Sequence, residues 1–192
     1  YLIGEVTEQN QVADVNLALF IAMAIFALAF VIILLSEIPE PELGVATEQK
    51  ESTMDSIKGA LSYKNFVFGA IAIFLYVGIE VGIPNVANLY MTDVNGLNIA
   101  TAVAGSLVGA YWFLMLVGRL VGGLVGGKVS SKTMMTVVSS AAILFLLLGM
   151  FLPASITVNV LDAQVPVAIM FFVLCGLCTS VMWGAVFNLA VE

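Results

Sequence analysis

Along the chain, apolar residues gather into five long runs separated by mostly short polar connections. The runs are Val15–Leu35, Phe66–Met91, Ala100–Gly127, Met134–Leu152 and Val165–Val191. None shows the two-residue alternation of a barrel strand. A helix crosses about 30 Å of hydrocarbon with roughly 20 mainly apolar residues, so each run predicts a transmembrane α-helix. The expected fold class is all-α, a polytopic membrane helical bundle.

The connections differ in charge. Residues 1–14, Thr92–Ile99 and Pro153–Gln164 carry no lysine or arginine. Ser36–Asn65 carries Lys50, Lys58 and Lys64, and Val125–Thr133 carries Lys128 and Lys132. Arg119 lies toward the same end of the third run. All six basic residues thus fall on one side of a five-span arrangement. The positive-inside rule makes that side the cytoplasm, with residue 1 outside and residue 192 inside. The one long linker, Ser36–Lys64, opens with Pro39 and Pro41, which stop the first helix because proline donates no backbone hydrogen bond. Its stretch Ser52–Leu61 predicts a short surface helix of mixed charge, poorly suited to strong binding of acidic lipid.

Composition removes other classes. Of 192 residues, 61% are hydrophobic and 10% charged, with a mean hydropathy of +1.11; a soluble domain carries about 25% charged residues. A net charge of −7 argues against nucleic-acid binding. Without histidine there is no imidazole metal site and no histidine acid–base couple. Cys175 and Cys178 lie inside an apolar run and read as small packing residues. The segment Gly127–Lys132 (GKVSSK) lacks the strand–loop–helix setting and glycine spacing of a phosphate loop. No catalytic cluster can be assembled, so no enzyme activity, cofactor or metal is expected. A first residue that is not methionine, and a last one directly after an apolar run, suggest a piece of a longer chain.

Few residues interrupt the apolar pattern. Glu80 sits near the middle of the second run, where an ionised carboxylate costs on the order of 2.5–3.5 kcal/mol or more, so it should face a cavity or a partner. Helical spacing puts Tyr76, Glu80, Ile83 and Ala87 on one face. Pro84 removes the donor that would bond the carbonyl of residue 80, and should kink the helix as in helices that line transporter cavities. Asn85 and Asn88 add amides. Glu80 therefore has three readings open: ligand hydrogen bonding, proton carriage, or a bond to another helix. Arg119 reads as a snorkelling side chain or an inter-helix clamp. In the fifth run Thr179, Ser180, Trp183 and Asn188 bring an aromatic plate beside amide and hydroxyl groups, which suits a sugar-sized ligand; Tyr111 and Trp112 carry the same possibility. Glycines at four-residue spacing, including Gly118–Gly122, mark close helix packing or a sliding surface.

Three runs resemble a known family. Phe74–Gly82 (FLYVGIEVG) looks like the seventh helix of the fucose/glucose/galactose proton symporters, a branch of the major facilitator superfamily. Tyr111–Gly123, with its Gly118-Arg119-x-x-Gly122 element, resembles that family's eighth helix, and Ser180–Ala190 its tenth. Between helices eight and nine, only Gly127, Lys128 and Lys132 remain of the superfamily's loop signature. The resemblance implies helices six to ten of twelve: residues 1–35 as the last helix of the N-terminal half, 36–64 as the cytoplasmic central linker, and 65–192 as the first four helices of the C-terminal half. It implies sugar:proton symport of a hexose or 6-deoxyhexose by alternating access in a bacterial inner membrane. The partners would be a sugar, a proton, the lipid bilayer and the remaining helices. In that family the proton-coupling acids belong to helices one and four, which shifts Glu80 toward sugar contact. The candidate substrate-binding residues are Glu80, Asn85, Asn88, Tyr111, Trp183 and Asn188, with Arg119, Pro84, Gly118 and Gly122 structural or gating. The alternatives are an exporter of drugs or metabolites from the same superfamily, and a membrane enzyme or structural subunit.

Overall fold

The computed structural model describes residues 11–36 and 53–191, with side chains from residue 16 onward. Residues 1–10 of the polar lead, and Pro39, Pro41 and Lys50 of the linker, lie outside the described residues. The chain divides into two units, residues 1–50 and 51–192, each taken by itself. In the first, helix α1 spans Gln11–Leu35. From Leu17 onward it is apolar around its whole circumference, as lipid or a surrounding bundle requires. The Ser36 hydroxyl closes its last turn by donating to the Ile32 carbonyl at 2.7 Å.

The second unit runs α2 (Thr53–Ser62), α3 (Lys64–Thr92), α4 (Thr101–Gly126), α5 (Ser131–Phe151), strands β1 (Thr157–Val160) and β2 (Ala163–Pro166), α6 (Val167–Ser180) and α7 (Met182–Val191). Among the described residues, five helical stretches are long and apolar enough to cross a membrane: Asn16–Leu35, Lys64–Thr92, Thr101–Gly126, Ser131–Phe151 and Val167–Val191. The chain has the all-α, membrane-bundle class expected. The fourth span begins at Ser131 rather than Met134 because Ser130 caps it, its hydroxyl accepting from the Thr133 N–H at 3.2 Å. The short helix expected at Ser52–Leu61 is α2.

Two elements depart from the sequence pattern. The fifth run is two helices meeting at Val181, which has φ −101° and ψ −8°. Hydroxyls just before the break bond back into the helix: Thr179 donates to the carbonyls of Cys175 and Gly176, both at 3.2 Å, and Ser180 to that of Leu177 at 2.5 Å. Such back-bonding bends helices. The link Pro153–Gln164, read as a plain connection, instead holds β1 paired antiparallel with β2, with Thr157 opposite Pro166 and Val160 opposite Ala163. The turn residues Leu161 and Asp162 have φ of 49° and 65°, the left-handed pair of a type I′ hairpin.

Contacts fix which helix ends lie together. Gly69 near the start of α3 packs against Ala190 near the end of α7, and the Asn188 amide reaches the Ser131 hydroxyl at 3.4 Å. These sites adjoin Lys64, Lys128 and Lys132, so they define a basic end of the unit. At the opposite end Met91, Ile99, Val103, Leu107, Val165 and Ile169 form one buried cluster, to which the hairpin contributes Val165. Between the ends, Tyr111, Met115 and Cys175 form a second. Cys178 is buried too, and neither cysteine forms a disulfide.

The glycine pattern separates into two sets. Gly118 lies against the Ser180 side chain, Gly122 against Val181, and Gly176 against the backbone carbonyl of Tyr111, so a Cβ at any of them would collide. Gly78, Gly82, Gly105, Gly109, Gly123 and Gly127 meet nothing within 4 Å among the described residues. The helix break at Val181 is therefore seated on the Gly118–Gly122 pair of α4. Only glycine lets the backbones approach this closely.

Candidate functional site

The midspan charge on α3 finds its partner on α4. A guanidinium nitrogen of Arg119 donates to Oε1 of Glu80 at 2.8 Å. The two side chains are unequally placed, 14% exposed for Glu80 and 54% for Arg119. Glu80 therefore has the partner its depth demands, and Arg119 joins the partly buried carboxylate to open space. This contact corresponds to the inter-helix reading of both residues.

A second bond from α4 reaches the same residue through its backbone. The Tyr111 hydroxyl donates to the Glu80 carbonyl at 3.0 Å. Pro84 has no N–H to offer that carbonyl, so a side chain from the neighbouring helix supplies the donor. Helix α3 runs unbroken through Pro84. The Tyr111 oxygen also lies 3.1 Å from the Thr179 hydroxyl. Tyr111 is 1% exposed, and its hydroxyl thus ties α3, α4 and α6 together below the break in the fifth span.

Arg119 lines a cavity of about 490 Å³ at the basic end, between α4, the start of α5 and α7. Its polar lining comes from Arg119, Ser131, Ser180 and Asn188, and its aromatic wall is Trp183. Gly122, Gly123 and Gly126 form its α4 side, where Gly123 and Gly126 leave the space unfilled. Ligand pockets occupy roughly 300–1,000 Å³ and combine apolar walls with a few polar groups. The donors here are the guanidinium, the Ser131 hydroxyl and the Asn188 amide, while the Ser180 hydroxyl, which donates to Leu177, is left to accept. Their flat apolar neighbour is an indole, 48% exposed.

The sequence-predicted residues are distributed unevenly about this cavity. Arg119, Gly122, Trp183 and Asn188 line it. Glu80 reaches it through Arg119. Asn85 turns back on its own helix, its amide donating to the Val81 carbonyl at 2.9 Å. Asn88 lies farther along α3, where its carbonyl accepts from the Thr92 hydroxyl at 2.9 Å. Tyr111 and Pro84 are buried in the packing and line no part of it, and Gly118 sits behind it against Ser180. Ser131 is a lining residue absent from the candidates; its only sequence signal is a hydroxyl beside the lysines of the α4–α5 turn. Among the described residues no group of histidine, cysteine or carboxylate side chains is arranged to hold a metal ion.

The sequence profile described as Major Facilitator Superfamily matches residues 13–192. Among curated proteins, the "Putative glucose/galactose transporter" of Helicobacter pylori is 34% identical over 101 residues. That stretch is 52% of this chain and 23% of the relative. No solved structure matches the chain.

Proposed function

The chain belongs to the Major Facilitator Superfamily, and on that premise we propose that this multi-pass membrane protein is part of a sugar:proton symporter for a hexose or 6-deoxyhexose. The observation that carries the proposal is the Trp183 cavity with Arg119, Ser131, Ser180 and Asn188 on its walls. A pyranose offers an apolar ring face and a rim of hydroxyls. The indole accepts the first; the guanidinium, amide and hydroxyls bond the second. The glucose/galactose transport named for the Helicobacter pylori relative supports the same substrate class.

In this proposal residues 1–35 are the last helix of one half, 36–64 a cytoplasmic linker, and 65–192 four helices of the other half. The basic end, carrying Lys64, Lys128 and Lys132, faces the cytoplasm of a bacterial inner membrane. Transport proceeds by rocking of the two halves about their shared site. Glu80, Trp183 and Asn188 belong to the sugar-binding set, Glu80 acting through Arg119. The protein works as a carrier and performs no covalent chemistry.

The test is uptake of labelled glucose, galactose and fucose by the whole transporter in vesicles with an imposed proton gradient. Saturable, gradient-driven uptake of at least one sugar is expected. Trp183→Ala should weaken its apparent affinity by about ten-fold or more, the loss of a stacking face worth roughly 1–3 kcal/mol. Absence of saturable uptake of all three sugars by the unaltered protein would overturn the reading.

A further inference from the structure

Tyr76 precedes Glu80 by one helical turn on α3 and does not line the cavity. Its ring packs against that of Trp183, with centroids 6.3 Å apart and planes tilted by 51°. The residue is 4% exposed. Its hydroxyl oxygen is buried and makes no hydrogen bond among the described residues, although Glu80, paired with Arg119, lies one turn away on the same helix. The hydroxyl of Tyr111, the other buried phenol of the unit, has two partners, the Glu80 carbonyl and the Thr179 hydroxyl. A buried hydroxyl without a partner is disfavoured against its hydrated state, and rare enough to require an explanation.

Arg119 supplies that explanation. It holds Oε1 of Glu80 with one nitrogen, yet more than half of its side chain is open and lines the cavity beside Trp183. A guanidinium carries five N–H donors, more than one carboxylate oxygen can accept. A ligand oxygen seated against Trp183 competes for those donors and draws Arg119 into the cavity. Glu80 would then be an unpaired carboxylate within a membrane span, and that cost would oppose binding. The Tyr76 hydroxyl stands four residues away on the same helix face, the spacing at which helical side chains meet.

We propose that Tyr76 is a positioning residue, its hydroxyl taking over the Glu80 carboxylate when a hydroxylated ligand in the Trp183 cavity engages Arg119. Ligand binding is then an exchange of partners about Glu80, in which the carboxylate is bonded in both states. The inference rests on the sugar-transport reading for its ligand, and it extends that reading to a residue outside the cavity.

The experiment uses Tyr76→Phe in the whole transporter, which removes the hydroxyl and keeps the ring against Trp183. Glucose and galactose binding are measured by calorimetry, and thermal unfolding is measured without ligand. Ligand-free stability should be unchanged or higher, because an unpartnered hydroxyl is gone. Affinity should fall by about five-fold or more. In a Glu80→Gln background the same substitution should change affinity little, because no charge awaits a partner. Wild-type affinity in Tyr76→Phe would overturn the inference. So would an equal loss in both backgrounds, which would trace the effect to ring packing, or a loss of ligand-free stability, which would make the hydroxyl structural. Failure of the unaltered protein to bind either sugar would instead overturn the sugar reading on which the ligand rests.

Discussion

The Tyr111 hydroxyl bonds the Glu80 carbonyl at 3.0 Å, the acceptor that Pro84 leaves without its helical donor. A proline within a span is thus compensated from the neighbouring helix, at the residue that also carries the span's only charge near midmembrane. Both ties come from α4, through Tyr111 to the backbone and through Arg119 to the carboxylate. Residue 80 is where side-chain hydrogen bonds from α4 converge on α3.

Tyr111→Phe should therefore destabilise the protein by about 1–3 kcal/mol, the cost of a buried acceptor losing its donor. Pro84→Ala restores an N–H at that position. In the Pro84→Ala background the loss on removing the hydroxyl should be clearly smaller, as measured by thermal unfolding of both single variants and the double variant in detergent.

The ion pair predicts a charge-dependent coupling. Arg119→Met should destabilise by about 1–2 kcal/mol, less than the roughly 3–5 kcal/mol of a fully buried pair because the arginine is 54% exposed. Glu80→Gln combined with Arg119→Met should be milder than Arg119→Met alone, since no carboxylate is stranded. Equal losses in the single and double variants would mean that the pair contributes through packing only.

Transport separates the two functional readings of Glu80. With Glu80→Gln in the whole transporter, a sugar-binding role predicts weaker apparent affinity with proton-driven accumulation retained. A coupling role predicts the reverse, near-normal affinity with accumulation lost. Uptake against and down the sugar gradient distinguishes them.

The glycines of α4 should differ sharply despite their common spacing. Gly118→Ala places a Cβ against the Ser180 side chain, and should cost about 1–3 kcal/mol in overpacking. Gly105→Ala and Gly109→Ala meet nothing within 4 Å among the described residues, and should leave the stability of this helix unit nearly unchanged. Parallel thermal unfolding of the three variants is the measurement.

The hairpin offers a stabilising change. Leu161 holds φ of 49° in a two-residue turn, a region costly for a branched apolar residue. Leu161→Asn should stabilise by about 0.5–1 kcal/mol without altering transport.

The sequence by itself determined the five spans, the shared end of the lysine-bearing turns, and Glu80 as the residue demanding a partner. Hydrocarbon imposes these features on composition alone, since a span must be long, apolar and nearly free of charge. The tertiary structure decided the partners. Arg119 is 39 residues from Glu80 and Tyr111 is 31 residues away, separations over which helical periodicity carries no information. It also decided that Trp183 and Asn188 share a cavity with Arg119, whereas Asn85 folds back on its own helix and Tyr111 is spent in packing. The break at Val181 and the hairpin at 157–166 stayed hidden for a related reason. Each is a local choice between hydrogen-bond partners, made by hydroxyls and a two-residue turn inside stretches too short to show a period.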